Sequence, residues 1–216
     1  MVAHGNDGSD RRYAVYRLGL TEVPTGYSTT LADAFGTGKP VASGNGMGQL
    51  GDRDPAGNPC WFYQAGMPGN QSLYRLLPYW DSSGIYTFNN PGGSYGWAIT
   101  TASGGHPGPS EAASTIITYM SPYKPMKAAI TCTAGTSGSS DGVLLRLYKN
   151  DTFLTSLDLP GTGSGTIGTN NISMVAGDCL HLAISMKTSQ NNDATSLGIT
   201  VTAVTEAKKG TVILIQ

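Results

Sequence analysis

The stretch Cys179-Leu180-His181-Leu182-Ala183-Ile184-Ser185-Met186 decides the fold class of this sequence. Its even positions are all apolar, and a period of two is the pattern of a β-strand with one buried face. The stretch Leu197-Gly198-Ile199-Thr200-Val201 repeats the alternation. Both stretches therefore predict strands, with His181 on the polar face of the first.

Further strands flank these two. Residues 143–148 and 153–159 are apolar runs joined by Lys149-Asn150-Asp151-Thr152, which is the pattern of a β-hairpin. Residues 126–133 predict another strand, and the continuous apolar run 211–215 predicts a strand covered on both faces. With a segment that includes Ile172 and Met174, these make seven strands with turn residues between them, which indicates a β-sandwich.

Upstream, residues 84–88, 95–101 and 114–120 also resemble strands, with a turn predicted at 90–93. About ten strands from residue 84 onward are enough for a two-sheet jelly roll. The prediction is an all-β fold: an antiparallel, jelly-roll-like β-sandwich over residues 83–216, most regular over 126–216. Residues 1–82 are punctuated by Gly and Pro and rich in aromatic residues. They predict an extended N-terminal arm or irregular subdomain that lies along a neighbouring subunit.

Composition excludes several classes of protein. Only 12% of residues are charged and the net charge is −1. This argues against a nucleic-acid binder that neutralises phosphates and against an electrostatic membrane anchor. No apolar run approaches the roughly 18 residues of a membrane span. The start of the chain shows no apolar signal-peptide region after Arg11 and Arg12.

The three cysteines are Cys60, Cys132 and Cys179, an odd number with wide spacing. Cys132 and Cys179 lie in strand-like segments and are interpreted as small buried side chains. A disulfide between two of the three cysteines stays open, because nothing in the sequence selects the pair.

Motifs that suggest chemistry are incomplete. Gly36-Thr37-Gly38-Lys39 resembles part of a phosphate loop, but Asp33 and Pro40 occupy positions where that loop needs Gly and Ser or Thr. Asp52-Arg53-Asp54-Pro55-Ala56-Gly57 resembles the start of a calcium loop, but its twelfth position is Tyr63 instead of Glu. Both stretches are interpreted as turns.

The three histidines, His4, His106 and His181, have no second His or Cys at a metal-ligand spacing. No nucleophile elbow precedes a helix, and no pair of carboxylates stands out as a glycosidase pair. The prediction is therefore a protein with no catalytic residues, no metal and no cofactor.

Aromatic side chains are concentrated in residues 61–97, mixed with Gly, Asn and Pro. They fit a core that is poor in aliphatic residues, a subunit interface, or stacking platforms for sugars, because Tyr and Trp combine large apolar area with one polar group. The candidates for interface or glycan contact are Trp61, Tyr63, Tyr79, Trp80 and Trp97.

The hairpin at Leu147-Tyr148-Lys149-Asn150 and the strand entry Ala176-Gly177-Asp178-Cys179-Leu180-His181-Leu182 carry a resemblance over residues 126–205. Here the chain resembles jelly-roll accessory virion proteins of tailed bacteriophages, either capsid decoration (cement) or fibre and knob proteins, with C1q/TNF-like architecture. The resemblance implies a non-enzymatic structural protein that is made in the host cytoplasm and located in the virion. A capsid decoration protein is the first expectation. The alternative is a tail fibre, a knob, or a module that binds a carbohydrate receptor. The implied partner is a major capsid or tail protein, and the implied state is a homo-oligomer, with a trimer favoured.

Overall fold

The computed structural model describes residues 2–4, 13–15, 21–88, 96–137 and 141–204. Their helices are short: α1 (Leu31–Ala34) and two 3-10 turns, Gln71–Leu73 and Glu111–Ala113. None of the helices in these ranges is long and apolar enough to cross a membrane. The strand predicted at 211–215 and the turn predicted at 90–93 lie outside the described residues.

Strands dominate the described chain. Numbered in sequence order, they are β1 (Val2–His4), β2 (Tyr13–Val15), β3 (Ser28–Thr30), β4 (Gly46–Met47), β5 (Asp52–Arg53), β6 (Pro59–Gly66), β7 (Arg75–Leu76), β8 (Tyr79–Asp81), β9 (Ile85–Thr87), β10 (Ile99–Thr101), β11 (Gly104–His106), β12 (Ser114–Met120), β13 (Met126–Thr136), β14 (Val143–Lys149), β15 (Thr152–Leu159), β16 (Gly163–Met174), β17 (Cys179–Met186) and β18 (Thr195–Val204).

Two large antiparallel sheets form the sandwich. The nine-stranded sheet runs in the order β16-β13-β18-β11-β10-β9-β8-β4, and β3 also pairs with β18. The seven-stranded sheet runs in the order β15-β14-β17-β12-β6-β5, and β7 also pairs with β6. Strands β1 and β2 pair with each other in a separate ribbon. The predicted all-β sandwich is confirmed.

Alternation along the strands builds the core. In β18, Leu197, Ile199 and Val201 are buried, while Ser196 and Gly198 between them are exposed. The buried residues of β18 join one continuous core cluster with apolar side chains from the facing sheet, among them Leu182 of β17. The period of two read from the sequence is therefore the period of burial in the nine-stranded sheet.

Strand β17 differs from the expectation of a single buried face. All its residues except Met186 are buried, including His181 on the predicted polar face. Residues 67–77 cover this outer face: the Tyr74 ring stands edge-on to His181 at 5.0 Å, and a Cβ at Gly69 would lie 2.8 Å from the Tyr148 ring. The sequence pattern could not reveal this cover, because the covering segment is not a regular strand.

Residues 21–82, expected to form part of an extended arm or an irregular subdomain, contribute strands to both sheets. Strand β6 pairs with β12 on one side and with β5 on the other, so it is an inner strand of the seven-stranded sheet. Strand β3 pairs with β18 in the opposite sheet. Short strands separated by Gly and Pro, with aromatic side chains in place of aliphatic ones, thus pack into the sandwich.

This placement makes Trp61 a core residue with a measurable effect on stability. Replacing the buried Trp61 by Ala leaves a cavity and removes the hydrogen bond from its indole N–H to Thr29 Oγ1 (3.0 Å). We expect the free energy of unfolding in urea to fall by about 3–5 kcal/mol. Trp97→Ala is the matched control, since Trp97 is exposed and should change stability by less than about 0.5 kcal/mol. Equal, small effects of the two substitutions would contradict the core position of Trp61.

Candidate functional site

An open groove of about 550 Å³ lies at one end of the nine-stranded sheet. A row of small residues crosses it from strand to strand: Gly104 pairs with Ser196, Ser196 with Gly135, and Gly135 with Ser164. Ser196 and Ser164 are exposed, so the row lies on the outer face of the sheet, away from the core. Five strands, β10, β11, β18, β13 and β16, contribute to this groove.

Glycine forms the floor because there is no space for a side chain. A Cβ added at Gly104 would collide with the Thr195 carbonyl oxygen, and one at Gly135 would lie 3.0 Å from Ser196 Oγ. A Cβ at Gly163 would lie 2.7 Å from the Pro160 ring. The glycines therefore let neighbouring parts of the chain pack closely against the backbone at this end of the sheet.

Hydroxyl and imidazole groups border this floor. Thr136 Oγ1 donates to the Pro160 carbonyl at 2.6 Å, and Ser196 Oγ donates to the Gly135 carbonyl at 3.1 Å. His106 Nδ1 lies 2.7 Å from the Pro107 carbonyl oxygen. Since a carbonyl only accepts, Nδ1 carries the proton in the neutral ring and Nε2 is an acceptor. The groove thus offers hydrogen-bonding groups without a charged side chain among its described lining residues.

Trp97 is an exposed tryptophan in the turn that precedes β10. Ala98 and Thr100 are fully buried, while Trp97 is 52% exposed. It lies two residues before Ile99, which lines the groove with Thr101. The turn before it is fixed by Gly96 at φ 46°, where a Cβ would lie 2.9 Å from the Pro109 ring.

The other sequence candidates do not join this site. Trp61 and Tyr63 are fully buried in the core, and Trp80 is 8% exposed and packs edge-on against Tyr86 at 4.9 Å. Tyr79 is half-buried on β8. Of the three interpretations of the aromatic cluster, a core position describes Trp61, Tyr63 and Trp80, and an accessible ring describes Trp97.

The stretch that resembles a phosphate loop does bind an anion, but the anion is Asp52 of the same chain. The Asp52 carboxylate accepts hydrogen bonds from the Gly36 N–H (2.7 Å), the Gly38 N–H (2.6 Å) and the Tyr63 hydroxyl (2.7 Å). Burial raises the pKa of Asp52, and these hydrogen bonds oppose that shift. Burial and the Asp52 charge raise the pKa of Tyr63. The backbone donors are therefore occupied from within the chain.

The stretch that resembles a calcium loop is a turn, as the sequence favoured. Asp54 Oδ1 accepts from the Ala56 N–H (3.0 Å) and the Asn58 N–H (2.8 Å), and Oδ2 accepts from the Tyr123 hydroxyl (2.6 Å). Its oxygens thus organise the turn between β5 and β6. Across the described ranges, no group of three or more His, Cys, Asp or Glu side chains could hold a metal ion.

All three cysteines are free and buried. Burial raises the pKa of Cys132 and of Cys179 to about 12. The interpretation of these two as small buried side chains is confirmed.

Sequence reasoning missed the groove. Gly104, Gly135 and Ser196 come from three strands that are distant in sequence, and each lies in a Gly- or Ser-containing stretch like many others in this chain. Strand register alone brings them together. The exposed Trp97 was the one available signal.

Comparisons with known proteins give weak structural likenesses. The sequence matches no protein-family model and no characterised protein sequence. A family 51 carbohydrate-binding module from Clostridium perfringens, in complex with methyl-galactose, is 12% identical over 82% of this chain and 99% of its own, with a TM-score of 0.35. A family 35 carbohydrate-binding module from Clostridium thermocellum is 14% identical over 41% of this chain and 69% of its own, with a TM-score of 0.30.

A TNF protein, Eiger from S. frugiperda, is 13% identical over 72% of this chain and 98% of its own, with a TM-score of 0.29. At these identities and TM-scores the three likenesses carry no functional argument.

The buried His181 predicts a specific pH dependence of stability. Burial lowers the pKa of His181 to about 4, partly offset by the charge of Asp151. Between this pKa and the value near 6.5 of the unfolded chain, the unfolded state binds more protons, so stability falls as pH falls. We expect a loss of about 3 kcal/mol between pH 7 and pH 4 from this residue. His181→Gln should flatten that slope in urea unfolding measured across the window. An unchanged slope would contradict the assignment.

Proposed function

We propose that this chain is a non-enzymatic carbohydrate-binding module whose ligand lies in the groove of the nine-stranded sheet. The observation that carries the proposal is an exposed Trp97 ring in the turn that leads into β10, whose Ile99 and Thr101 line an uncharged groove with glycines and hydroxyl groups. A sugar needs both parts. Its C–H face packs on an aromatic ring, and its hydroxyls exchange hydrogen bonds with groups such as the exposed Ser196 Oγ and His106 Nε2.

The absence of charged side chains from the described groove lining favours neutral sugars as ligands. The described lining residues contain no Lys or Arg, so nothing in the groove compensates a carboxylate or sulfate on an acidic glycan. Burying an uncompensated anion there would cost free energy. The ligand expected on these grounds is a neutral glycan chain that runs along the open groove.

The same lining supports binding without cleavage. Glycoside hydrolysis by the usual route needs two carboxyl groups on opposite sides of the bond. The described lining contains no Asp or Glu, and the buried Asp52 and Asp54 are committed to core and turn hydrogen bonds. A bound sugar therefore finds partners for recognition in the groove and no acid–base pair.

The structural role in a bacteriophage virion is the second candidate. Beyond the groove, the outer faces of β13, β16 and β18 carry Thr131, Thr133, Thr166 and Thr200, and the charged Lys127 lies at the start of β13. The threonine part of this face fits against a major capsid or tail protein without desolvating charges. A capsid decoration protein remains the narrower proposal. Saturable co-sedimentation of the purified chain with undecorated phage shells would support this role, and no binding at any concentration would contradict it.

The carbohydrate proposal is tested by removing the Trp97 ring. Trp97→Ala should weaken binding of short neutral oligosaccharides of glucose, galactose or xylose by roughly tenfold or more, because the stacking surface is lost. Titration calorimetry measures the affinity without relying on tryptophan fluorescence. Ser196→Phe should weaken binding equally, since its ring fills the groove.

The matched control is Phe153→Ala, which removes a 53% exposed aromatic ring from the other sheet. It should leave the affinity unchanged. Equal losses from Trp97→Ala and Phe153→Ala, or no binding of any neutral oligosaccharide by the unaltered chain, would contradict the proposal.

A further inference from the structure

Strand β16 is a long edge strand. It spans Gly163–Met174, and within the described residues its single neighbour in the sheet is β13. Its sequence, Gly-Ser-Gly-Thr-Ile-Gly-Thr-Asn-Asn-Ile-Ser-Met, contains no charged residue and no proline. An edge of this kind presents unpaired backbone N–H and C=O groups to any strand that approaches.

The other edges of the two sheets are protected. Strands β4, β5 and β7 have two residues each and β3 has three, which is too short to template a partner. Strand β15 carries Asp158, which forms an ion pair with Lys187. Charge and short length are the usual protections against edge pairing, and β16 has neither.

A bulge limits the regular part of this edge. The register of β16 on β13 shifts between Ala128 and Ile130, and Asn171 has φ 56°. Residues 163–169 therefore form the uninterrupted stretch, with Thr166 at its centre. Side chains along it are small, apart from the inward-facing Ile167.

We propose that residues 163–169 pair with the same residues of a second copy of this chain, antiparallel, about a two-fold axis through Thr166. Thr166 then faces Thr166 of the other copy, and Gly163 faces Thr169. Such a contact is self-complementary, as a two-fold dimer requires. No like charges meet across the axis, because the stretch carries none.

The dimer goes beyond the carbohydrate proposal and does not depend on it. Pairing within one sheet keeps the outer faces of both copies on the same side. It leaves the Trp97 rings and the groove faces of the two copies directed the same way. Two grooves on one continuous surface would let a long polymer engage both, which raises avidity without new contacts.

The test compares two lysine substitutions, one in the edge strand β16 and one in its inner neighbour β13. Thr166 and Thr133 pair directly across β16 and β13, and both side chains are exposed. Sedimentation velocity and native mass spectrometry should find a dimer of the full chain. Thr166→Lys should weaken the dimer by roughly tenfold or more, since two lysines then face each other. Thr133→Lys adds the same charge to an inner strand and should leave the dimer intact.

Two further measurements separate repulsion from misfolding. Raising the salt to about 1 M shortens the screening length to about 3 Å and should restore the Thr166→Lys dimer. Mixing Thr166→Lys with Thr166→Glu should give a heterodimer in preference to either homodimer. A monomer or trimer of the unaltered chain would overturn the proposal, and so would equal dissociation by Thr133→Lys and Thr166→Lys.

Discussion

The hydrogen bonds that satisfy two buried carboxylates, Asp52 and Asp54, are the interaction on which the first part of the sandwich depends. Among the described residues, neither carboxylate forms an ion pair, so N–H and O–H donors must compensate their burial. The Asp52 carboxylate accepts hydrogen bonds from the Gly36 and Gly38 N–H groups and from the Tyr63 hydroxyl, and so links residues 36–38 to β6. Asp54 holds the turn that starts β6. Without these bonds a glycine-rich segment could not dock on an aromatic core.

The sequence predicts the second half of the fold well and the first half poorly, because regular alternation of apolar and polar residues is visible only in the second half. In β18, an aliphatic residue alternates with Ser, Gly or Thr, and the period is visible directly. In β6, Trp61 and Tyr63 face the core while Phe62 faces the other side and packs with Met120 and Cys179. Residues 59–63 are all apolar or aromatic, so there is no alternation to detect. The extended-arm expectation followed from that missing period.

The candidate site was harder to predict than the core for a different reason. Core residues reveal themselves by type, since apolar side chains avoid water. The groove residues Gly104, Gly135 and Ser196 are selected for small size at a crossing of strands, and only the register specifies the crossing. Gly and Ser are common throughout this chain, so their presence alone distinguishes nothing. Trp97 was identifiable by type, but its exposure in the turn before β10 was not.

The groove of the nine-stranded sheet and the edge strand β16 share one property, which is the scarcity of charged residues. A chain with 12% charged residues keeps its surface hydrated largely through hydroxyls, amides and backbone groups. Such a surface recognises a partner by shape and hydrogen bonds, because no strong field steers or rejects ligands. Each contact is then individually weak, since hydrogen bonds made in water contribute only about 0.5–1.5 kcal/mol net. A protein built this way gains strength by repeating its contacts. The proposed pairing of copies through β16, with two grooves on one surface, would provide that repetition.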